Sequence, residues 1–162
     1  KDIDDDNSYE VFLYQDPYFH SPLFHESYDE ESYSKITLSL NFSTKCNLRC
    51  KYCFLDHDKG ENLYSLEKIK KHIEEFVKKN SKKKKLFIDL SGTGEPLVNL
   101  IEVIAIAKFC KKLEKKYSVN VIVQFVTNGT LLDKETVKLL QDNAVLFGVS
   151  LDGTKSNHDK NR

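Results

Sequence analysis

Cys46, Cys50 and Cys53 stand in the run Cys46-Asn47-Leu48-Arg49-Cys50-Lys51-Tyr52-Cys53, a C-x3-C-x2-C spacing. Three thiolates so close in sequence can converge on one metal centre. They do not read as a disulfide set, because the number is odd and the context looks intracellular. A structural zinc site normally has four ligands. Only three are local here; His57 is a possible fourth, and Cys110 lies on an apolar helical stripe and reads as a small buried hydrophobe. The triad therefore suggests an iron–sulfur cube with three irons tied to protein and the fourth open. An open metal position can bind a substrate or cofactor. Arg49 and Lys51 would favour the anionic cluster, or are ordinary exposed loop residues.

Regular elements must hold that loop in place. Ile36, Leu38, Leu40 and Phe42 alternate with polar residues, a period of two that predicts a strand. Leu66, Ile69, Ile73, Phe76 and Val77 recur at helical spacing behind Ser65, a fitting N-cap, with lysines on the opposite face. Leu86–Leu90 reads as a buried strand. Pro96 suits a first helical turn, and Leu100, Ile101, Ile104, Ala107 and Leu113 continue a stripe. Val121–Val126 predicts a third strand, Asp133 caps a third helix, and Ala144–Leu151 predicts a fourth strand. Strands alternating with helices imply a parallel sheet with right-handed crossovers.

Gly92, Gly94, Gly129 and Gly153 fall just past the C-terminal ends of these strands. That edge is where α/β barrels and open α/β sheets bind ligands. Turns between strand and helix often need glycine in any case, but four at one edge, beside the cysteines, favour a ligand site.

These residues resemble the radical S-adenosylmethionine (radical SAM) enzymes. C-x3-C-x2-C with an aromatic before the last cysteine, here Tyr52, is similar to that family's signature. Ser91-Gly92-Thr93-Gly94-Glu95-Pro96 resembles its Gly-Gly-Glu-Pro motif, with Thr93 in the position of the first glycine of the pair. Val126-Thr127-Asn128-Gly129-Thr130 follows the third strand as in many relatives. Ser150-Leu151-Asp152-Gly153 and His158-Asp159-Lys160-Asn161-Arg162 resemble the fourth-strand region of the SPASM-type branch. That branch includes anaerobic sulfatase-maturating enzymes and maturases of ribosomally made peptides. The resemblance covers residues 36–162.

The resemblance implies the N-terminal half of a partial (β/α)6 TIM-type barrel, running from its first to its fourth strand and truncated at the C-terminus. Residues 1–35 would be an acidic, aromatic-rich extension. The implied cofactors are a [4Fe-4S] cluster on Cys46, Cys50 and Cys53, and S-adenosylmethionine (SAM) chelated at the open iron. The implied reaction is reductive cleavage of SAM to methionine and a 5′-deoxyadenosyl radical, which takes hydrogen from a peptide or protein. Gly92, Thr93, Gly94 and Glu95 would orient the methionine amine, where a carboxylate makes a charge-assisted bond. Tyr52 would lie near the adenine or pack the loop. Ser150 and Asp152 are candidates for the ribose hydroxyls or the methionine carboxylate region, although Asp152 could instead only cap its turn. Asn128 could touch SAM or substrate, or adopt a left-handed turn. An electron donor such as a flavodoxin or ferredoxin is implied, as is a cytoplasmic location. A small-molecule substrate and a non-catalytic zinc-binding module are the other readings. No catalytic acid, base or radical relay is identifiable.

Composition bounds these readings. The 162 residues carry 25 basic and 25 acidic side chains, for a net charge of zero. That argues against a dedicated nucleic-acid binder. No apolar run approaches the roughly 20 residues of a membrane helix. The zero hides a segregation: residues 1–34 hold ten acidic residues and one basic, 1 − 10 = −9, leaving +9 for the rest. Eight aromatics, from Tyr9 to Tyr33, are too many for a pure linker, so part of that arm is expected to pack on the main domain or on a missing segment. Asp89, inside a strand, is expected to face the barrel interior, and His72 to be exposed.

Overall fold

The computed structural model describes residues 36–55 and 60–162. The acidic extension and His57 lie outside the described residues. The elements run β1 (Ile36–Ser39), α1 (Leu66–Lys79), β2 (Lys85–Asp89), a 3-10 turn (Pro96–Asn99), α2 (Leu100–Tyr117), β3 (Asn120–Thr127), α3 (Lys134–Asp142), β4 (Val145–Val149) and α4 (Lys155–Asn161). All three strand pairings are parallel, in the order β1-β2-β3-β4. This is the alternating parallel architecture expected from the strand and helix periodicities.

The two faces of the sheet differ. Leu86, Ile88, Val121, Val123 and Phe125 point to one side, where they join Ile69, Ile73, Val77, Val103, Ile106 and Leu113 of α1 and α2 in one buried core. Burying each such side chain contributes about 1.5–3 kcal/mol. Among the described residues the opposite face is open: Asp89, Gln124 and Leu146, register neighbours across β2, β3 and β4, line a groove with Ser91, Val126 and Gly148. Asp89 thus does face the inner side of the sheet, and its charge is met by Ser91, whose N–H (2.9 Å) and hydroxyl (2.5 Å) both donate to Oδ1.

Several boundaries differ from the sequence expectation. β1 ends at Ser39, although the alternation continues to Phe42. Phe42 is buried, but Ser43 beyond it bridges antiparallel to Asn62, drawing the chain off the ladder. Pro96 opens a 3-10 turn capped by the Glu95 side chain, and α2 starts only at Leu100. α4 was not anticipated. It has seven residues and no apolar stripe, and rests on Thr154, whose side chain accepts from the Asn157 N–H. Ser65 caps α1 and Asp133 caps α3, as their positions predicted. Cys110 is buried against the core, and burial pushes its thiol up to about 12. His72 is half-buried and pairs with Glu75 at 3.6 Å, so it is less exposed than expected.

Candidate functional site

The loop 40–55 leaves β1 at the C-terminal edge of the sheet, and the loops after β2, β3 and β4 each bind it. After β2, the Glu95 N–H donates to the Lys45 carbonyl (2.8 Å) and the Thr93 hydroxyl to the Ser43 carbonyl (2.8 Å). This approach is close enough to require glycine. Gly94 has φ +70°, and a methyl there would sit 2.4 Å from the Lys45 oxygen. Thr93, which replaces a glycine of the motif it resembles, uses its added hydroxyl to tie the two loops together.

After β3, Asn128 Nδ2 donates to Asn47 Oδ1 (2.9 Å), and Asn47 Nδ2 donates to the Thr130 hydroxyl (2.7 Å). The left-handed conformation suggested for Asn128 falls instead on Gly129, at φ +79°. Asn128 Oδ1 accepts from the N–H and hydroxyl of Thr130, so both ends of its amide are tied into this edge. After β4, the Tyr52 hydroxyl donates to Asp152 Oδ2 (2.7 Å), and the Lys51 N–H donates to the Asn161 carbonyl (2.9 Å). The sequence marked Asn128, Tyr52 and Asp152 singly. It did not mark Asn47 or Thr130 as partners, because pairing across 81 to 83 residues leaves no local signal, nor Arg162, which reaches Asp152 across 10 residues only because α4 folds back between them.

Glu95 is the most enclosed charged group of the edge, at 3% exposure. Its Oε1 accepts from the Leu97 N–H (3.0 Å) and the Thr127 hydroxyl (2.7 Å), and its Oε2 from the Asn128 N–H (2.7 Å). A buried carboxylate needs such donors to offset lost hydration. Glu95 thereby fixes the end of β3 to the loop after β2. Ser150 bonds through its N–H to the Thr127 carbonyl at 2.9 Å.

Cys46, Cys50 and Cys53 are half-buried and in no disulfide. The Cys53 N–H donates to the Cys50 carbonyl (3.0 Å), so a tight turn joins those two, and the Leu48 N–H points at Cys46 Sγ (3.5 Å). Burial pushes the Cys46 thiol up, the Leu48 N–H offsets part of this, and negative charge on Glu95, Cys50 and Cys53 pushes it further up. The raised Cys46 thiol favours its neutral form, and a bound metal centre would favour the thiolate instead. Among the described residues no three His, Cys, Asp or Glu side chains are gathered to hold a single ion. A four-iron cube asks for a different arrangement, since each thiolate takes its own iron. The donor set, three free thiols on one loop at the ligand edge of a parallel sheet, fits that group.

The Radical SAM superfamily model matches residues 40–162, and the chain belongs to that superfamily, whose members use a [4Fe-4S] cluster and SAM. Among curated proteins, the chain is 35% identical over 125 residues to a cysteine-type anaerobic sulfatase-maturating enzyme of Clostridium novyi, covering 74% of this chain and 33% of that one. It is 32% identical over 127 residues to the Fe-coproporphyrin III synthase of Methanosarcina barkeri, covering 75% of this chain and 28% of that one. Among solved structures it resembles anSMEcpe with bound AdoMet, at a TM-score of 0.61 and 27% identity, covering 78% of this chain and 34% of that one. The same protein with AdoMet and the Cp18Cys peptide gives a TM-score of 0.60 at 26% identity, covering 78% and 34%. The chain thus spans about a third of the length of the curated relatives it matches. The four parallel strands correspond to part of the barrel of these structures. No helix among the described residues is long and apolar enough to cross a membrane.

Proposed function

We propose that the protein containing this chain is a radical SAM enzyme that modifies a peptide or protein, with Cys46, Cys50 and Cys53 as the cluster ligands. The observation that carries the reading is the convergence of the loops after β2, β3 and β4 on the cysteine loop. Similarity to a sulfatase-maturating enzyme and to a peptide-bound structure favours the peptide substrate.

When bound, the cluster supplies one electron for cleavage of SAM to methionine and a 5′-deoxyadenosyl radical, which takes a hydrogen atom from substrate. The chain's own residues set the geometry. The backbone of Gly92, Thr93 and Gly94 would receive the methionine amine. Glu95 Oε2, which has accepted one internal bond against two on Oε1, offers its remaining lone pair to that ammonium. Ser150 and Asp152 would serve the ribose or methionine carboxylate, Tyr52 the adenine, and Asn128 would contact SAM or substrate. Asp89, Ser91 and Gln124 line the groove and would be the polar groups nearest a substrate there. A reduced flavodoxin- or ferredoxin-type protein delivers the electron, and a cytoplasmic location suits such a centre.

The test is a reaction with SAM, dithionite and a cysteine-containing peptide deuterated at its side chains. The reading expects deuterium in the 5′-deoxyadenosine. Label-free 5′-deoxyadenosine formed at the same rate without peptide would favour the second reading, a small-molecule substrate, which the similarity to the coproporphyrin enzyme supports.

A further inference from the structure

We propose that Asp152 is a positioning residue that latches the cysteine loop to the end of β4 through Tyr52 and Arg162, an inference that rests on the cluster assignment above. Tyr52 lies inside the turn that joins Cys50 to Cys53, so a restraint on Tyr52 is a restraint on both sulfurs. Its hydroxyl donates to Asp152 Oδ2 at 2.7 Å. Arg162, just past α4, donates from Nε to Oδ2 (2.8 Å) and from Nη2 to Oδ1 (3.1 Å). This is a two-point fork that a lysine cannot reproduce. The guanidinium carbon also lies 5.9 Å from the centroid of the Tyr52 ring, so the cation touches both members of the pair.

The anchor is itself held. The Asp152 N–H donates to His158 Nδ1 (3.3 Å), and α4 carries the Asn161 carbonyl that receives the Lys51 N–H (2.9 Å). Side chain and main chain of one loop therefore dock on one short helix. The Arg162 and Asp152 side chains are only 12% and 25% exposed, so water competes less for this pair than for a surface ion pair. Oδ2 is already filled by two donors, which leaves Oδ1 alone to offer anything to a ribose. The geometry makes Asp152 first a clamp on the loop.

The experiment uses the anaerobically reconstituted full chain and three variants: Tyr52→Phe, which removes only the hydroxyl, Asp152→Asn and Arg162→Lys. Three readouts are taken: iron loss to a ferrous chelator followed by cluster absorbance, the electron paramagnetic spectrum of the reduced cluster with and without SAM, and thermal unfolding of the metal-free chain. The latch predicts iron loss about tenfold faster in each variant, the usual scale for losing an outer-shell partner of a metal ligand. It also predicts that Tyr52→Phe combined with Asp152→Asn loses iron no faster than Asp152→Asn alone. SAM still perturbs the spectrum of Tyr52→Phe, and that variant's unfolding midpoint stays near wild type. Wild-type iron retention in Tyr52→Phe and Arg162→Lys, with weakened SAM response in Asp152→Asn alone, would overturn the latch and make Asp152 a SAM ligand. A wild-type chain that takes up no iron and sulfide would overturn the cluster assignment and the latch with it.

Discussion

Glu95 illustrates how one side chain can serve both fold and site. Its carboxylate sits at 3% exposure and collects donors from Leu97, Thr127 and Asn128. Glu95→Gln keeps the shape but turns one oxygen into an amide that cannot accept from these N–H and O–H groups. An unsatisfied buried donor costs about 1–3 kcal/mol. The urea midpoint of the metal-free chain is expected to fall accordingly. A loss below about 0.5 kcal/mol, the level of an ordinary surface substitution, would mean the network is loose. Cys110 makes the contrasting residue-scale case. Alkylation needs a thiolate, and this thiol is both buried and pushed up to about 12 by that burial. Iodoacetamide at neutral pH should therefore reach the half-buried Cys46, Cys50 and Cys53 of the metal-free folded chain, Cys46 slowed by its own raised thiol, and spare the buried Cys110 until the chain is unfolded. Mass mapping of the labelled peptides gives the answer directly.

At the scale of elements, the site is a set of strand ends rather than any one motif. β1 supplies the cysteine loop, and the turn after β2 must pass it at backbone distance. Gly94→Ala places a methyl 2.4 Å from the Lys45 oxygen at φ +70°. The left-handed strain and the overlap together are expected to cost about 2 kcal/mol or more. That loss should appear in equilibrium unfolding and as weaker iron retention, because the displaced neighbour is the residue before Cys46. Gly153, with φ +68° and open space around it, gives the matching control: strain without a clash. The elements themselves were legible because periodicity reports burial. The stripe Ile69, Ile73, Phe76 and Val77 is buried where its spacing put it, whereas the run Leu86–Leu90, read as a buried strand, buries only Leu86, Ile88 and Leu90 and turns Phe87 and Asp89 to the other face. β1 was overextended because Phe42 continues the alternation while Ser43 leaves the ladder for Asn62. α4 was missed because a short polar helix held by a cap and by tertiary bonds has no period to read.

At the scale of the whole molecule, among the described residues the sheet is covered by α1 and α2 on one face and open on the other, with Leu146, Val149 and Leu151 exposed on and after β4. The cysteine spacing and the strand-end glycines were legible because both depend only on local sequence, and the structure gathers them at one edge of the sheet. What joins them, Asn47 with Asn128, Thr93 with Ser43 and Tyr52 with Asp152 and Arg162, is visible only when the strands are brought into register. The charge segregation belongs to this scale too. Residues 1–34 carry −9 against +9 for the rest, so removing them leaves a strongly basic chain. If that arm contributes to binding a peptide, the deletion weakens substrate affinity, with a salt dependence that screening predicts.

The central claim is that Cys46, Cys50 and Cys53 hold a cluster that reductively cleaves SAM. It is tested most directly by measuring 5′-deoxyadenosine formed from SAM and dithionite by the anaerobically reconstituted chain, beside Cys50→Ala. The account predicts 5′-deoxyadenosine from the wild-type chain and none from the variant. Wild-type protein that carries a full cluster yet releases no more 5′-deoxyadenosine than Cys50→Ala would contradict it.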